Sequence, residues 1–338
     1  MIPTFKPSIL RKDMDAVLTC MVEELFETGE ITKEFQKDLS KKINVSSVFG
    51  LREYRRSFEL LLDTYEVKSG NRVALSPLAP WWFHMELKKR GIIPVYIDIN
   101  QDSCTLRKEE LETIEDKADF IFIYHHLGYE NDFSLLDEVG IPVFEDISEI
   151  LSSRIITENN NSGRAGIFSL QEKGYLAGLG GSFLFLRDRK DRAALKTQKE
   201  YIDSTQFVTD IQASIGASQI QRLDKYNKKR LEIREIFLAS LLKSKNKTFA
   251  VDDESNHIPY SFPVILNSGS SEVFQYAKKK KIMCVNAFEN SIISRFPEEV
   301  EDCPGAKALT LRCVLFPLYP SLSSADTDMI GKVLSTLP

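Results

Sequence analysis

Short apolar runs separated by longer segments of helical spacing dominate the first half of the chain. Residues 73–77, 93–99, 120–125 and 141–146 are each rich in aliphatic, β-branched or aromatic side chains. Each is separated from the next by enough chain for a crossover helix, so the pattern predicts a mostly parallel sheet flanked by helices. In open sheets of this kind ligands lie beyond the carboxyl ends of the strands, which directs attention to His125, Asp146 and the loop over residues 76–84. Residues 166–170 and 180–186 read as two further strands around a glycine-rich connection, and the Asn-rich stretch over 155–162 as a polar loop. From residue 209 to about 242 the pattern is strongly helical, with Ile211, Ile215, Ile220, Leu223, Leu231 and Phe237 spaced for one buried face. A second α/β unit opens at 259–266 and contains 274–280, 282–287 and a last strand near 311–316. The expected division is a large domain over 1–240, with an N-terminal arm, and a small C-terminal domain over 241–338.

Composition narrows the class. The chain has 338 residues, of which 43% are hydrophobic, 28% charged and 10% aromatic; this is the balance of a protein that buries a large core, and it excludes disorder, collagen-like repeats and a disulfide scaffold. A formal net charge of −5 gives no reason to expect nucleic acid as a partner. The five cysteines are scattered without a CxxC pair, and His84, His125 and His126 lack the acidic spacing of a metal motif, so a reducing compartment and no metal are expected. The opening residues lack a secretory pattern and no apolar run approaches the ~18 residues of a spanning helix. The expectation is a complete cytoplasmic protein with no membrane partner. The run Lys278 to Lys281 reads as solvated cations closing a helix.

Residues Phe168-Ser169-Leu170-Gln171-Glu172-Lys173, followed by Gly180-Gly181, resemble the lysine motif of the DegT/StrS-type sugar aminotransferases, which are fold-type I pyridoxal-phosphate enzymes. The resemblance continues in order over nearly the whole chain. It takes in Ile2-Pro3 with Pro7, Gly91 with Pro94-Val95 and Asp98, and His125 with Gly128 and Asp132. It then runs through Glu145-Asp146, Gly163 with Gly166, Ile211-Gln212-Ala213 with Leu223-Asp224, and Phe316-Pro317-Leu318-Tyr319-Pro320. The resemblance implies a mostly parallel central sheet flanked by helices, a smaller C-terminal α/β domain, and a homodimer with active sites at the subunit interface. It also implies transfer of an amino group from an amino acid to a nucleotide-linked keto-sugar. This chemistry needs a lysine beside the cofactor as nucleophile and proton carrier, for which Lys173 is the candidate by position. It needs a carboxylate that keeps the pyridine nitrogen protonated, and Asp146 fits; Ser169 matches a phosphate-binding hydroxyl of the family. Family members that dehydrate instead carry histidine in place of the lysine, so Lys173 argues for transamination.

The departures from the family fall on its cofactor contacts. Where the family places Gly-Thr at the start of the first large-domain helix, this chain has either Gly50-Leu51 or Tyr54-Arg55, and neither is expected to supply the family's hydroxyl. Arg52, Arg55 and Arg56 are expected to form a solvated basic face. Glu149 replaces the glutamine that commonly lies near the cofactor's phenolic oxygen; burial there would raise its pKa. Pro80 occupies the position of the aromatic residue that stacks on the ring, with Trp81 and Trp82 next to it, and the segment that reaches the partner's phosphate falls at Thr205-Gln206-Phe207. His125 is expected to be a structural hydrogen bonder. Two readings follow: an aminotransferase, or a family member that has lost efficient cofactor binding and serves as a non-catalytic binding or assembly protein.

Overall fold

The computed structural model describes residues 1–132, 136, 139–157, 163–171, 173–251, 257–267 and 269–338. Seven strands form the larger sheet: β1 (Ser47–Leu51), β2 (Arg72–Leu75), β3 (Ile93–Tyr96), β4 (Phe120–Tyr124), β5 (Val143–Asp146), β6 (Ala165–Ser169) and β7 (Ser182–Leu186), in the order β1-β7-β6-β5-β4-β2-β3. Strand pairs β3/β2, β2/β4, β4/β5 and β5/β6 are parallel, whereas β7 runs against both of its neighbours. The mostly parallel sheet of the sequence reading is therefore present. Every residue of β5, β6 and β7 is buried, as expected where both faces carry helices and strands read as continuous apolar runs.

Helices α1 (Arg11–Val22), α2 (Glu30–Lys42), α3 (Tyr54–Thr64), α4 (Trp81–Lys89), α5 (Lys108–Leu111), α6 (Leu151–Thr157), α7 (Arg192–Lys199) and α8 (Asp210–Ile220) belong to this part of the chain. One core packs Phe58 of α3 and Phe83 of α4 against Phe122 of β4. On the opposite face Phe35 and Leu39 of α2 meet Phe168 and Phe183, with Ala213 and Ile220 of α8 closing the layer.

After α9 (Leu223–Leu241) a second sheet forms from β8 (Phe262–Ile265), β9 (Val285–Asn286) and β10 (Cys313–Phe316), in the order β8-β10-β9 and wholly antiparallel. The remaining helices are α10 (Ser270–Lys279), α11 (Ile292–Arg295), α12 (Pro304–Arg312) and α13 (Ser324–Leu334). Phe237 of α9 and Ile330 of α13 pack on Phe262, Val264 and Phe316 of this sheet.

The helical stretch from 209 is two helices. A capping box closes the start of α8, with Thr209 Oγ1 accepting from the Gln212 amide at 3.4 Å and Gln212 Oε1 accepting from the Thr209 amide at 3.2 Å. The chain then breaks at Gln221-Arg222, where Arg222 turns to pair with the fully buried Asp13 of α1. The polar loop expected over 155–162 is a second correction: residues 155–157 complete α6, because Ile150, Leu151 and Ile155 face the core, and 158–162 lie outside the described residues. Strand β1 was not anticipated.

Candidate active site

The carboxyl ends of β4, β5 and β6, neighbours in the sheet, bring Tyr124, Asp146 and Ser169 to one edge. Loops leaving these strands supply Leu127, Glu149 and Lys173. From the smaller sheet, β9 and the turn before α11 (residues 285–291) face them across a cavity of about 180 Å³, to which Phe5, Pro80 and His126 also contribute. The exposed Lys173 points its Nζ to within 5.3 Å of the Phe5 ring centre. Its positive charge helps keep Glu149 ionised.

Glu149 is held on two sides. Its Oε1 accepts from the Tyr124 hydroxyl at 3.0 Å, and its Oε2 from the Leu127 amide at 2.5 Å. That amide is aimed by a local reversal in which Leu127 and Gly128 both have positive φ, 58° and 93°. Burial nevertheless outweighs these donors and Lys173, and Glu149 titrates at about 7. This is the upward shift expected for a carboxylate at this position.

Asp146 closes β5 and is 1% exposed. Its Oδ1 accepts from the Ser148 amide at 2.8 Å, and its Oδ2 accepts from the Tyr54 hydroxyl. Burial raises its pKa to about 6, against the lowering effect of Ser148 and Tyr54. Ser169 belongs to the same polar net: its amide donates to Ser148 Oγ at 3.0 Å and its hydroxyl lies 3.4 Å from the same atom. Ser148 Oγ is 3.3 Å from the Tyr54 hydroxyl. Asp146 and Ser169 thus lie beside the cavity without forming its wall.

Other expected contacts separate. Trp82 packs edge-on to Tyr54, with ring centres 5.0 Å apart, and against Phe58 and Phe83. Trp81 turns to the other side, under the Arg295 guanidinium at 6.0 Å. Gly50 requires a correction. It lies inside β1 and not at a helix start, and a Cβ there would come within 2.7 Å of the Phe183 ring. The residue that opens α3 is Tyr54, so the second of the two alignments has the right place in the fold. Its side chain does supply a hydroxyl, and that hydroxyl lands on Asp146. Arg52 and Arg56 are bound within the chain: Arg52 Nε donates to the Phe207 carbonyl at 3.1 Å, and Arg56 pairs with Glu59 at 2.5 Å and Gln206 at 3.0 Å. The 205–207 segment therefore faces the start of α3 of its own subunit.

His125 is structural, as its strand-end position suggested. Its Nδ1 accepts from the Asn131 amide at 3.2 Å, which leaves Nε2–H to donate to Glu145 at 3.1 Å. Glu145 also receives Arg154 at 3.0 Å and the Gly163 amide at 2.9 Å. Burial pushes its pKa up, but Arg154 and His125 prevail and hold it below the usual carboxylate range. His126 lines the cavity with its Nε2 2.8 Å from Ser76 Oγ, and burial lowers its pKa to about 3, so it is neutral at physiological pH. Phe5, Tyr124 and Ser148 were not identified from sequence as parts of this site, and Tyr54 was named only as one of two alignments for the helix start, with no hydroxyl role expected of it. Tyr124 and Ser148 adjoin singled-out residues; the only signal for Phe5 was its place in the Ile2-Pro3 to Pro7 opening.

The residues suit pyridoxal phosphate in kind: an amine, an acid at a strand end and a hydroxyl gather where three neighbouring strands finish. The Ser148 amide and the Tyr54 hydroxyl are already seated on the two oxygens of the acid. Among the described residues no cluster of His, Cys, Asp and Glu could hold a metal ion, and no helix is long and apolar enough to cross a membrane.

Comparison with known proteins identifies the fold and the family. The chain is 20% identical over 364 residues to GDP-perosamine synthase of Escherichia coli O157:H7, covering 99% of this chain and 98% of that protein. It superposes on the aminotransferase TlmJ from Streptoalloteichus hindustanus with a TM-score of 0.87, 18% identity and coverage of 99% and 98%. Similarity extends to the putative sugar aminotransferase Spr1654 from Streptococcus pneumoniae in its PLP-form, with a TM-score of 0.86, 18% identity and coverage of 99% and 97%. A model of the DegT/DnrJ/EryC1/StrS aminotransferase family matches residues 7–335, and the chain belongs to that family.

Proposed function

We propose that this protein is a pyridoxal-phosphate-dependent aminotransferase that moves an amino group from an amino acid to a keto-sugar carried on a nucleotide. The observation that carries the reading is the convergence of Lys173 and Glu149 on one cavity, beside Asp146, at the carboxyl ends of adjacent strands. Two of the similar proteins, a GDP-perosamine synthase and a putative sugar aminotransferase, supply the substrate class.

When bound, pyridoxal phosphate supplies an electrophilic carbon that takes the amino group and a ring that accepts the electrons freed at the substrate's Cα. Lys173 would anchor the cofactor and carry the Cα proton on its Nζ. Asp146 would hold a proton at the ring nitrogen, and Ser169 would bind phosphate through its hydroxyl. Glu149, whose pKa burial raises to about 7, is able to hold a proton on a carboxyl oxygen near neutral pH. That proton would let it donate to the phenolic oxygen, so the charge repulsion expected of a carboxylate there is relieved. Trp82, next to Tyr54, is better placed than Trp81 to pack on a ring held by Asp146.

The working unit we propose is a homodimer in the cytoplasm. Helix α1 and its flanks expose Leu10, Met14, Leu18 and Met21, each between 46% and 55% exposed and spaced along one face. An apolar stripe of this kind is stable in water when a partner covers it. The five thiols are unpaired, as a reducing compartment requires.

Absorption spectra of the protein mixed with pyridoxal phosphate test the reading. A band at about 410–430 nm that is absent from Lys173→Ala and bleaches on adding glutamate is the expected result. A wild-type spectrum with no such band would overturn it and favour the binding-protein alternative.

A further inference from the structure

We propose that Tyr54 is a built-in competitor for the cofactor ring: its phenol takes the place on Asp146 that the ring nitrogen would occupy, and the cofactor enters by displacing it. This inference rests on the cofactor reading above.

Three features of the cluster support it. A flat ring with a hydrogen-bond donor at its edge is presented to Asp146 Oδ2, which is the chemistry a protonated pyridine would offer. The same ring lies edge-on to two aromatic neighbours, 5.0 Å from Trp82 and 6.1 Å from Phe83. Both oxygens of Asp146 are already used, Oδ1 by the Ser148 amide at 2.8 Å and Oδ2 by Tyr54. The phenol ring stands in front of Oδ2, so a ring nitrogen approaching that oxygen competes with it for space even though the oxygen can accept twice. The hydroxyl is also 3.3 Å from Ser148 Oγ, the atom that ties Ser169 to the net, so one side chain bridges the expected ring and phosphate contacts.

An exit is available. Tyr54 is the first residue of α3, it is only partly buried, and Glu53 and Arg55 on either side are exposed. To leave Asp146 its ring must also give up the edge-on contacts to Trp82 and Phe83. The residue is therefore a barrier that a ligand can open, at the cost of the hydrogen bond to Asp146.

The test uses 4-deoxypyridoxine 5′-phosphate, which has the ring and phosphate but no aldehyde and so binds without bonding to Lys173. Its affinity is measured by calorimetry for wild type, Tyr54→Phe and Tyr54→Ala. A hydrogen bond to a carboxylate corresponds to a factor of about 10 or more. Tyr54→Phe, which keeps the ring and the packing, is expected to tighten binding by about tenfold, and Tyr54→Ala by at least as much. Equal affinity in all three proteins, weaker binding in both variants, or no binding in any of them would overturn the proposal. Tighter binding in the variants together with a wild-type protein that gives no Lys173-dependent band would sink the functional reading and leave the competitor role standing.

Discussion

Replacing Glu149 with glutamine should change the pH dependence of stability in a direction that the site dictates. In the unfolded chain this carboxyl loses its proton near the ordinary value of 4.5, and in the folded protein it does so at about 7. Between those values the folded state holds a proton that the unfolded state has released. Stability contributed by this group is thus fully present below about 4.5 and is lost as pH rises to about 7. At about 1.4 kcal/mol per pH unit the full interval corresponds to about 3 kcal/mol. Glu149 lines an open cavity and is only partly buried, so water screens part of this and about 1–2 kcal/mol is the expected size.

Glutamine has no charge to lose and keeps both contacts. Its amide oxygen accepts from the Leu127 amide as Oε2 does now, and its amino group donates to the Tyr124 hydroxyl. Asp146, whose pKa is also raised to about 6, is present in both proteins, so its own pH dependence largely cancels in the comparison. Denaturant unfolding of cofactor-free wild type and Glu149→Gln at pH 5 and pH 8, followed by far-UV circular dichroism, checks this. The variant should gain about 1–2 kcal/mol on wild type between the two pH values. A difference that stays constant with pH, or one that shrinks toward pH 8, would refute the reasoning.

Two further outcomes are expected. Glu145→Ala removes the acceptor shared by His125, Arg154 and the Gly163 amide in a fully buried cluster, and should cost about 3–5 kcal/mol in denaturant unfolding because basic groups stay behind in the core; a loss below about 1 kcal/mol would contradict it. Met14→Glu combined with Leu18→Glu places two charges on the exposed stripe of α1 and should convert a dimer to a monomer in sedimentation analysis with the fold retained. An unchanged sedimentation coefficient would remove α1 from the proposed interface.

Features set by local pattern were legible in the chain. Strands β2, β4 and β5 could be read because their apolar residues lie in short runs that are buried, Asp146 because it ends one of those runs in a Glu-Asp pair, and Lys173 because it closes a segment that resembles the family's lysine motif. What escaped depends on contacts between distant segments. Strand β1 carries Gly50, which suggests a helix start; it is a strand because it pairs with β7, Gly50 lying opposite Phe183, 133 residues further on, and because Phe183 leaves no room for a Cβ. The break between α8 and α9 is set by Arg222 reaching Asp13, 209 residues earlier. Tyr54 follows the same logic. Its sequence neighbourhood offers only an aromatic residue at a helix start, and its partner Asp146 is 92 residues away. Which first-turn side chain of α3 meets that acid is decided by how α3 is rotated on the sheet, and Phe58 and Leu61, packed in the core with Phe83 and Phe122, hold that rotation. The residues that would perform the chemistry are therefore placed by short-range spacing, whereas the residue that controls access to them is placed by the core.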